Sequence, residues 1–305
     1  LYDQIRGAGT SSVVKSLSTN STRSEASGND ANHGYLSGFT SDGFDLVKGS
    51  QAGGDYVNHN TNAYVGWAWD AGSSTVTNTD GSITSTVRAN PTAGFSIVTY
   101  TGNSTDTATV GHGLNATPSI IFVKRRNVAN DWGVYHTSGG LKLLQLNTTN
   151  SWWANASNYW YSLPTSSVFY PDNTNGDHYQ NVSGGTYVAY CFAPVDGYSS
   201  FGSYTGNGST NGPFVYTGFR PRFLLTKAST SATNWHIVDS ERGASNVIGP
   251  YLTPNAADAE LSYGGWDFLS NGFKLKNVGN TINSSGVSYL YVAFAENPFK
   301  TARAR

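Results

Sequence analysis

A period of about one hundred residues constrains this chain more than any other feature. Tyr100-Thr101-Gly102-Asn103 recurs as Tyr204-Thr205-Gly206-Asn207, and Pro118, Lys124 and Trp132 recur 103 residues later as Pro221, Lys227 and Trp235. Tyr187 recurs 102 residues later as Tyr289. Such a chain is a set of like modules, each of which buries its own core or shares one with its neighbours.

The amino-terminal residues match only the second half of such a unit. Leu1-Tyr2-Asp3-Gln4-Ile5-Arg6-Gly7-Ala8 aligns with Ile237-Val238-Asp239-Ser240-Glu241-Arg242-Gly243-Ala244, residues 41–46 align with 270–275, and 64–69 align with 289–294. The expected organisation is therefore the later part of a first β repeat over 1–72 and a linker over 73–93. A second repeat over 94–197 follows, then a third with its tail over 198–305. The sequence has no Met, and together with the half unit this predicts a fragment or processed product of a longer chain.

Composition bears on what these modules can be. Charged residues make up 12% of the chain and the net charge is −1, which excludes an electrostatic pull toward nucleic acid or an anionic membrane as the main activity. Solubility falls instead to hydroxyls, amides and 35 Gly, while 19 Tyr, 14 Phe and 8 Trp carry much of the apolar surface. That mixture suits strands and turns. No apolar run is long enough to span a bilayer as a helix.

Short alternating runs at 95–100, 119–124, 133–136, 141–146, 168–170 and 187–192 are bounded by Gly, Asn, Asp or Pro. They predict an all-β fold of tandem β-sandwich repeats, each of about one hundred residues and seven strands, with few or no helices. Within the linker, runs on either side of Thr79-Asp80-Gly81 predict a two-stranded arm, because Asp-Gly between alternating segments is a strong hairpin signal. The best helical stretch, residues 254–261, has propensity but little length and predicts at most one short turn.

The chemistry of catalysis is thinly represented. Glycoside hydrolysis needs two carboxylates flanking a bond, yet Glu occurs only at Glu25, Glu241, Glu260 and Glu296, none in a recognisable catalytic setting. The six histidines lack ligand spacing, and the oxygen-rich run at 172–178 has its Gly one place early for a calcium loop and no closing Glu. One cysteine, Cys191, excludes an intrachain disulfide and reads as a small core residue, since its repeat partners are Ala68 and Ala293. Asp3 with Arg6 and Asp239 with Arg242 read as a repeated structural ion pair, which the middle unit lacks. The expectation is a non-enzyme without cofactor or metal.

The most suggestive stretch is special to the middle unit. Trp152, Trp153, Tyr159, Trp160 and Tyr161 stand within ten residues and are interleaved with Asn and Ser. Flat apolar faces beside amides suit the C–H face and hydroxyls of a sugar ring, making these five a candidate carbohydrate-binding set. The competing reading is a loop whose aromatics pack inward or against a neighbouring subunit.

At Gly94-Phe95-Ser96-Ile97-Val98-Thr99-Tyr100-Thr101-Gly102-Asn103, at Tyr187-Val188-Ala189-Tyr190-Cys191-Phe192-Ala193-Pro194, at Gly197-Tyr198-Ser199-Ser200-Phe201-Gly202-Ser203-Tyr204 and at Ala293-Phe294-Ala295-Glu296-Asn297-Pro298-Phe299 a resemblance appears. The chain resembles a family of C-terminal repeat modules from tailed-bacteriophage structural proteins of tail-fibre or lectin-like type. The resemblance implies a β-rich virion appendage. It supplies no catalytic residues, and the stretch around Trp152 lies outside its motifs. The leading expectation is the distal part of a tail fibre or comparable appendage, with other virion proteins as partners and a homotrimer by analogy with fibres, that recognises a host surface glycan. A capsid or tail decoration protein, with the aromatic stretch as a subunit interface, is the alternative; a depolymerase is a third reading without an evident acid–base pair.

Overall fold

The computed structural model describes residues 1–297 apart from 12, 14, 26–29, 51–56, 153–159, 172–179 and 280. The fold is all-β. Strands β1 (Tyr35–Phe39) and β2 (Phe44–Val47) form an antiparallel hairpin, as do β3 (Thr75–Asn78) and β4 (Ser85–Asn90) around the Asp80-Gly81 turn. The second hairpin is not a free arm, because β4 hydrogen-bonds along β5 (Phe95–Thr101) and so widens the sheet of the middle unit.

The middle unit continues with β6 (Val110–Gly111), β7 (Ile120–Arg125), β8 (Trp132–His136), β9 (Leu144–Gln145), β10 (Val168–Phe169) and β11 (Thr186–Phe192). The last unit contains β12 (Ser199–Thr205), β13 (Phe214–Tyr216), β14 (Pro221–Ala228), β15 (Trp235–Asp239), β16 (Ile248–Tyr251), β17 (Leu261–Leu269), β18 (Gly272–Leu275) and β19 (Ser288–Ala295). Strand order β5-β11-β7-β8 in the middle unit is the same as β12-β19-β14-β15 in the last. The register agrees too: Tyr187 pairs with Tyr100 and Tyr289 with Tyr204, each pair stacked at 5.0 Å.

The second layers differ. In the last unit a four-stranded sheet, β13-β18-β17-β16, covers the inner one, whereas in the middle unit the only counterpart among the described residues is the two-residue pairing of β6 with β10. Helix is confined, among the described residues, to one turn at Asp30–His33 and a 3-10 turn at Thr137–Gly139. No helix forms at 254–261: the segment turns and then runs extended into β17, because a single short turn has no nucleus to sustain it against neighbouring strands.

Strands β11 and β19 are buried on both faces, which explains their nearly continuous apolar sequences. One face of each packs into its own unit: Tyr187, Ala189 and Cys191 in the middle unit, Tyr289, Tyr291 and Ala293 in the last. The other face enters a core shared by all three units. Trp69, Phe192 and Phe294, which are equivalent by the repeat alignment, meet there with ring centroids 6.1, 5.5 and 5.6 Å apart. Three like positions thus converge on an approximate threefold centre within one chain, and each buried aromatic ring contributes about 1.5–3 kcal/mol of burial free energy.

The seams between units repeat as well. Leu17, Leu144 and Leu252 are equivalent: Leu17 and Leu252 hydrogen-bond to Leu1 and Ile237, and Leu144 pairs with Val134. Just beyond Leu17, the Ser18 carbonyl accepts from Trp132 Nε1 of the middle unit (2.9 Å). Just beyond Leu144, the Gln145 carbonyl accepts from Trp235 Nε1 of the last unit (3.0 Å). Four residues further, the Thr22 carbonyl takes Lys124 Nζ (3.2 Å) and Asn130 N (2.8 Å), and the Thr149 carbonyl takes Lys227 Nζ (3.3 Å) and Thr233 N (2.9 Å). Then Glu25 N donates to the Arg126 carbonyl (2.9 Å), and Trp152 N to the Ser229 carbonyl (2.8 Å). The first unit therefore lays an extended segment along the middle one, and the middle unit along the last.

Candidate functional site

The aromatic stretch of the middle unit does not form one platform. Trp152 is half-buried at the seam just described, packed against the shared core and over Gly139, where a Cβ would collide with its ring. Trp160 is 1% exposed and sits edge-on to Tyr135 at 5.6 Å inside the middle unit's core, so it offers no face to a ligand. Tyr161 is exposed and lies 6.2 Å from Tyr170, leaving a tyrosine pair open to solvent. Trp153 and Tyr159 lie outside the described residues. Of the candidate carbohydrate-binding set, then, one residue is core, one is seam and one is surface.

A second site was not evident from the sequence. On the middle unit a small cleft is lined by Arg125, Asn130, Asp131, Gln180 and Tyr187, with Val123 and Gly133 in its wall. Gln180 is 3% exposed, and neither its amide nitrogen nor its amide oxygen has a hydrogen-bond partner among the described residues. A buried amide left unmatched costs about 1–3 kcal/mol, so its retention points to a polar group that completes it.

The local geometry shows how the repeat places it. Asn181 and Asn283 occupy the same corner, each donating from Nδ2 to Asn103 or Asn207 Oδ1 at 3.2 Å and each accepting on Oδ1 from that residue's backbone N at 2.9 Å. One residue before them, the last unit has Ile282, fully buried in its core, where the middle unit has Gln180. A polar residue at a repeated core position was the available signal, and it is legible only once the two units are aligned at the asparagine. Around Gln180, Asp131 accepts from Gln145 Nε2 (2.7 Å) and Asn147 Nδ2 (2.6 Å), and the Tyr187 hydroxyl accepts from Val182 N (3.0 Å). Beside these donors and acceptors the cleft has room for one water-sized polar group.

Several titratable groups with displaced pKa values lie at the seams, and others are core residues. Burial lowers Lys227 to about 7 and Lys124 to about 8, with nearby Asp131 opposing the shift in the latter. Burial lowers His136 to about 4 against the opposing influence of the Tyr291 backbone, and its Nδ1 accepts from Ser138 N at 3.1 Å. Burial also pushes up the Cys191 thiol, in keeping with a small core residue. Asp3 and Arg6 do pair, as do Asp239 and Arg242; Arg6 reaches across to the Tyr190 hydroxyl (3.2 Å), which itself donates to Asp3 at 2.8 Å. Arg242 lies over Trp67 of the first unit, 5.6 Å from the ring centroid. These are structural contacts between units.

Among the described residues no group of three or more His, Cys, Asp or Glu is placed to hold a metal, and no helix is long and apolar enough to cross a membrane. The run at 172–178, with its partial likeness to a calcium loop, falls mostly outside the described residues. No curated protein and no solved structure matches the chain. A family model described as a domain of unknown function, DUF7483, matches residues 1–298, and the chain belongs to that family.

Proposed function

We propose that this chain is a non-catalytic structural segment of a tailed-phage virion, part of a tail fibre or comparable appendage, with other virion proteins as its partners. The observation that carries this reading is the shared core: three units close on Trp69, Phe192 and Phe294 and are seamed by repeated main-chain contacts, which makes a stiff body. Contacts of this kind depend little on screened surface charge. Trp152 at a seam and Trp160 in a core favour the reading in which the aromatics pack inward over the sugar platform. Threefold packing is already supplied inside one chain, so a homotrimer is an added level of assembly; a solution mass of one chain at micromolar concentration would remove it.

A host surface glycan is the second reading, carried by the exposed Tyr161 beside Tyr170, since the cleft at Gln180 has room only for a water-sized group. The tests are direct. A density map of the intact particle should show this chain in the tail, and its absence there would sink the structural reading. Binding to host envelope glycan should be lost with Tyr161→Ala and kept with Gln180→Leu; binding that survives Tyr161→Ala would remove the tyrosine pair as its site.

A further inference from the structure

Two seams are sealed in the same way, and the positions that would make a third lie open. By the equivalence of Leu17, Leu144 and Leu252, the segment that carries Ser18, Thr22 and Glu25 in the first unit and Gln145, Thr149 and Trp152 in the middle unit carries Thr253, Ala257 and Glu260 in the last. The Thr253 carbonyl accepts from Ala256 N (3.0 Å), and among the described residues no hydrogen bond reaches the Ala257 carbonyl. Residues 257–263 are exposed without interruption. Glu25 at the first seam is 8% exposed, whereas the Glu260 side chain is 48% exposed.

A separate observation concerns the first unit. Phe44 and Leu46 of β2 are equivalent to Phe273 and Leu275 of β18, which are fully buried beneath Tyr204 and Tyr291 of the inner sheet. Phe44 and Leu46 are 44% and 37% exposed. An apolar strand face that is core in one unit is thus uncovered in another. Trp67 and Trp69 already hold the first unit against the last, through Arg242, Phe223 and Phe294.

We propose that the edge at 257–263 and the face of β1–β2 form one docking seat, filled by a polypeptide segment of this same repeat type: strands like β12–β14 and the start of β15, with a lysine and a tryptophan eight residues apart. Lys124 with Trp132 and Lys227 with Trp235 have that spacing and supply both existing seams. In the seat, the tryptophan Nε1 would donate to the Thr253 carbonyl and the lysine to the Ala257 carbonyl, while the counterpart of Tyr204 would cover Phe44. Strand addition of this kind draws affinity from main-chain bonds and selectivity from the anchoring side chains.

Hydrogen exchange on the full chain gives the first test. Amides at 257–263 should exchange faster than those at 18–25 and 145–152, and equal protection would mean that the edge is not open. The second test joins a copy of residues 198–236 directly ahead of Leu1, in the register that Ile237 has in the last unit. Exchange at both 257–263 and 35–47 should slow by about tenfold or more; no slowing at either place overturns the proposal. An added copy carrying K227A and W235A should cover 35–47 and leave 257–263 unprotected. Retained protection at 257–263 would show that the lysine and tryptophan are not the recognised groups.

Discussion

The two sealed seams have one backbone plan and two chemistries. Between the first and middle units the contact is ionic: Arg6 is buried against Asp3, Tyr190 and Glu25, and Glu25 reaches Arg126 (2.5 Å) and Lys15 (3.5 Å). Between the middle and last units the matching places hold Trp152 and His136, which are aromatic and, at neutral pH, uncharged. What both keep is the set of main-chain carbonyls facing a Trp Nε1 and a Lys Nζ. The repeat therefore preserves what backbone geometry requires, while the side chains between change in chemistry.

Breaking the ionic seam should have the largest effect. Arg6→Ala would leave the buried Asp3 carboxylate without its cation, at a cost of about 3–5 kcal/mol. Chemical denaturation should show that loss at the first seam, with exchange protection at 272–275 unchanged; a loss spread evenly over the chain would mean the seams are not separable. Acid should act next, and at the other seam. His136 protonates below about 6.5 when unfolded and only near 4 when folded. Between those values the unfolded chain holds the extra proton, so stability falls as pH falls from 6.5 to 4. The fall is on the order of 3 kcal/mol for this residue; burial lowers His236 to about 4 as well, so His136→Asn should remove about half of the slope in that window. An unchanged pH profile would contradict the buried neutral imidazole.

Trp152→Ala should cost about 2 kcal/mol, less than a fully buried tryptophan because half of the ring is in contact with solvent. A neutral result in thermal melts would remove it from the seam. Finally, Trp132→Phe and Trp235→Phe each keep an aromatic ring and delete one donor to a carbonyl. Each should lose about 1 kcal/mol, and the two losses should be equal. Unequal losses would show that the main-chain plan is not shared to the degree its distances suggest.

The repeat, the all-β class and the Asp80-Gly81 hairpin were legible in residue order because they depend on local properties: alternation, turn chemistry and strand propensity. The Asp3–Arg6 and Asp239–Arg242 pairs were legible for the same reason, being three residues apart. Trp160 was not. Its neighbours Asn158 and Tyr161 suggested surface, while its burial against Tyr135 depends on a strand 25 residues away. Gln180 escaped notice because one polar residue beside a turn is unremarkable until Ile282 shows that its position is a core position.

By itself, then, the sequence determined that like strands would be made in like order, since the period-two pattern and the turns recur about every hundred residues. Only the tertiary structure decided that Trp69, Phe192 and Phe294 meet at one centre, that β11 and β19 are covered on both faces, and that Trp152 closes a seam. The physical reason is that hydrophobic burial is non-directional: a pattern specifies which faces must leave water, and the packing of whole units selects what covers them.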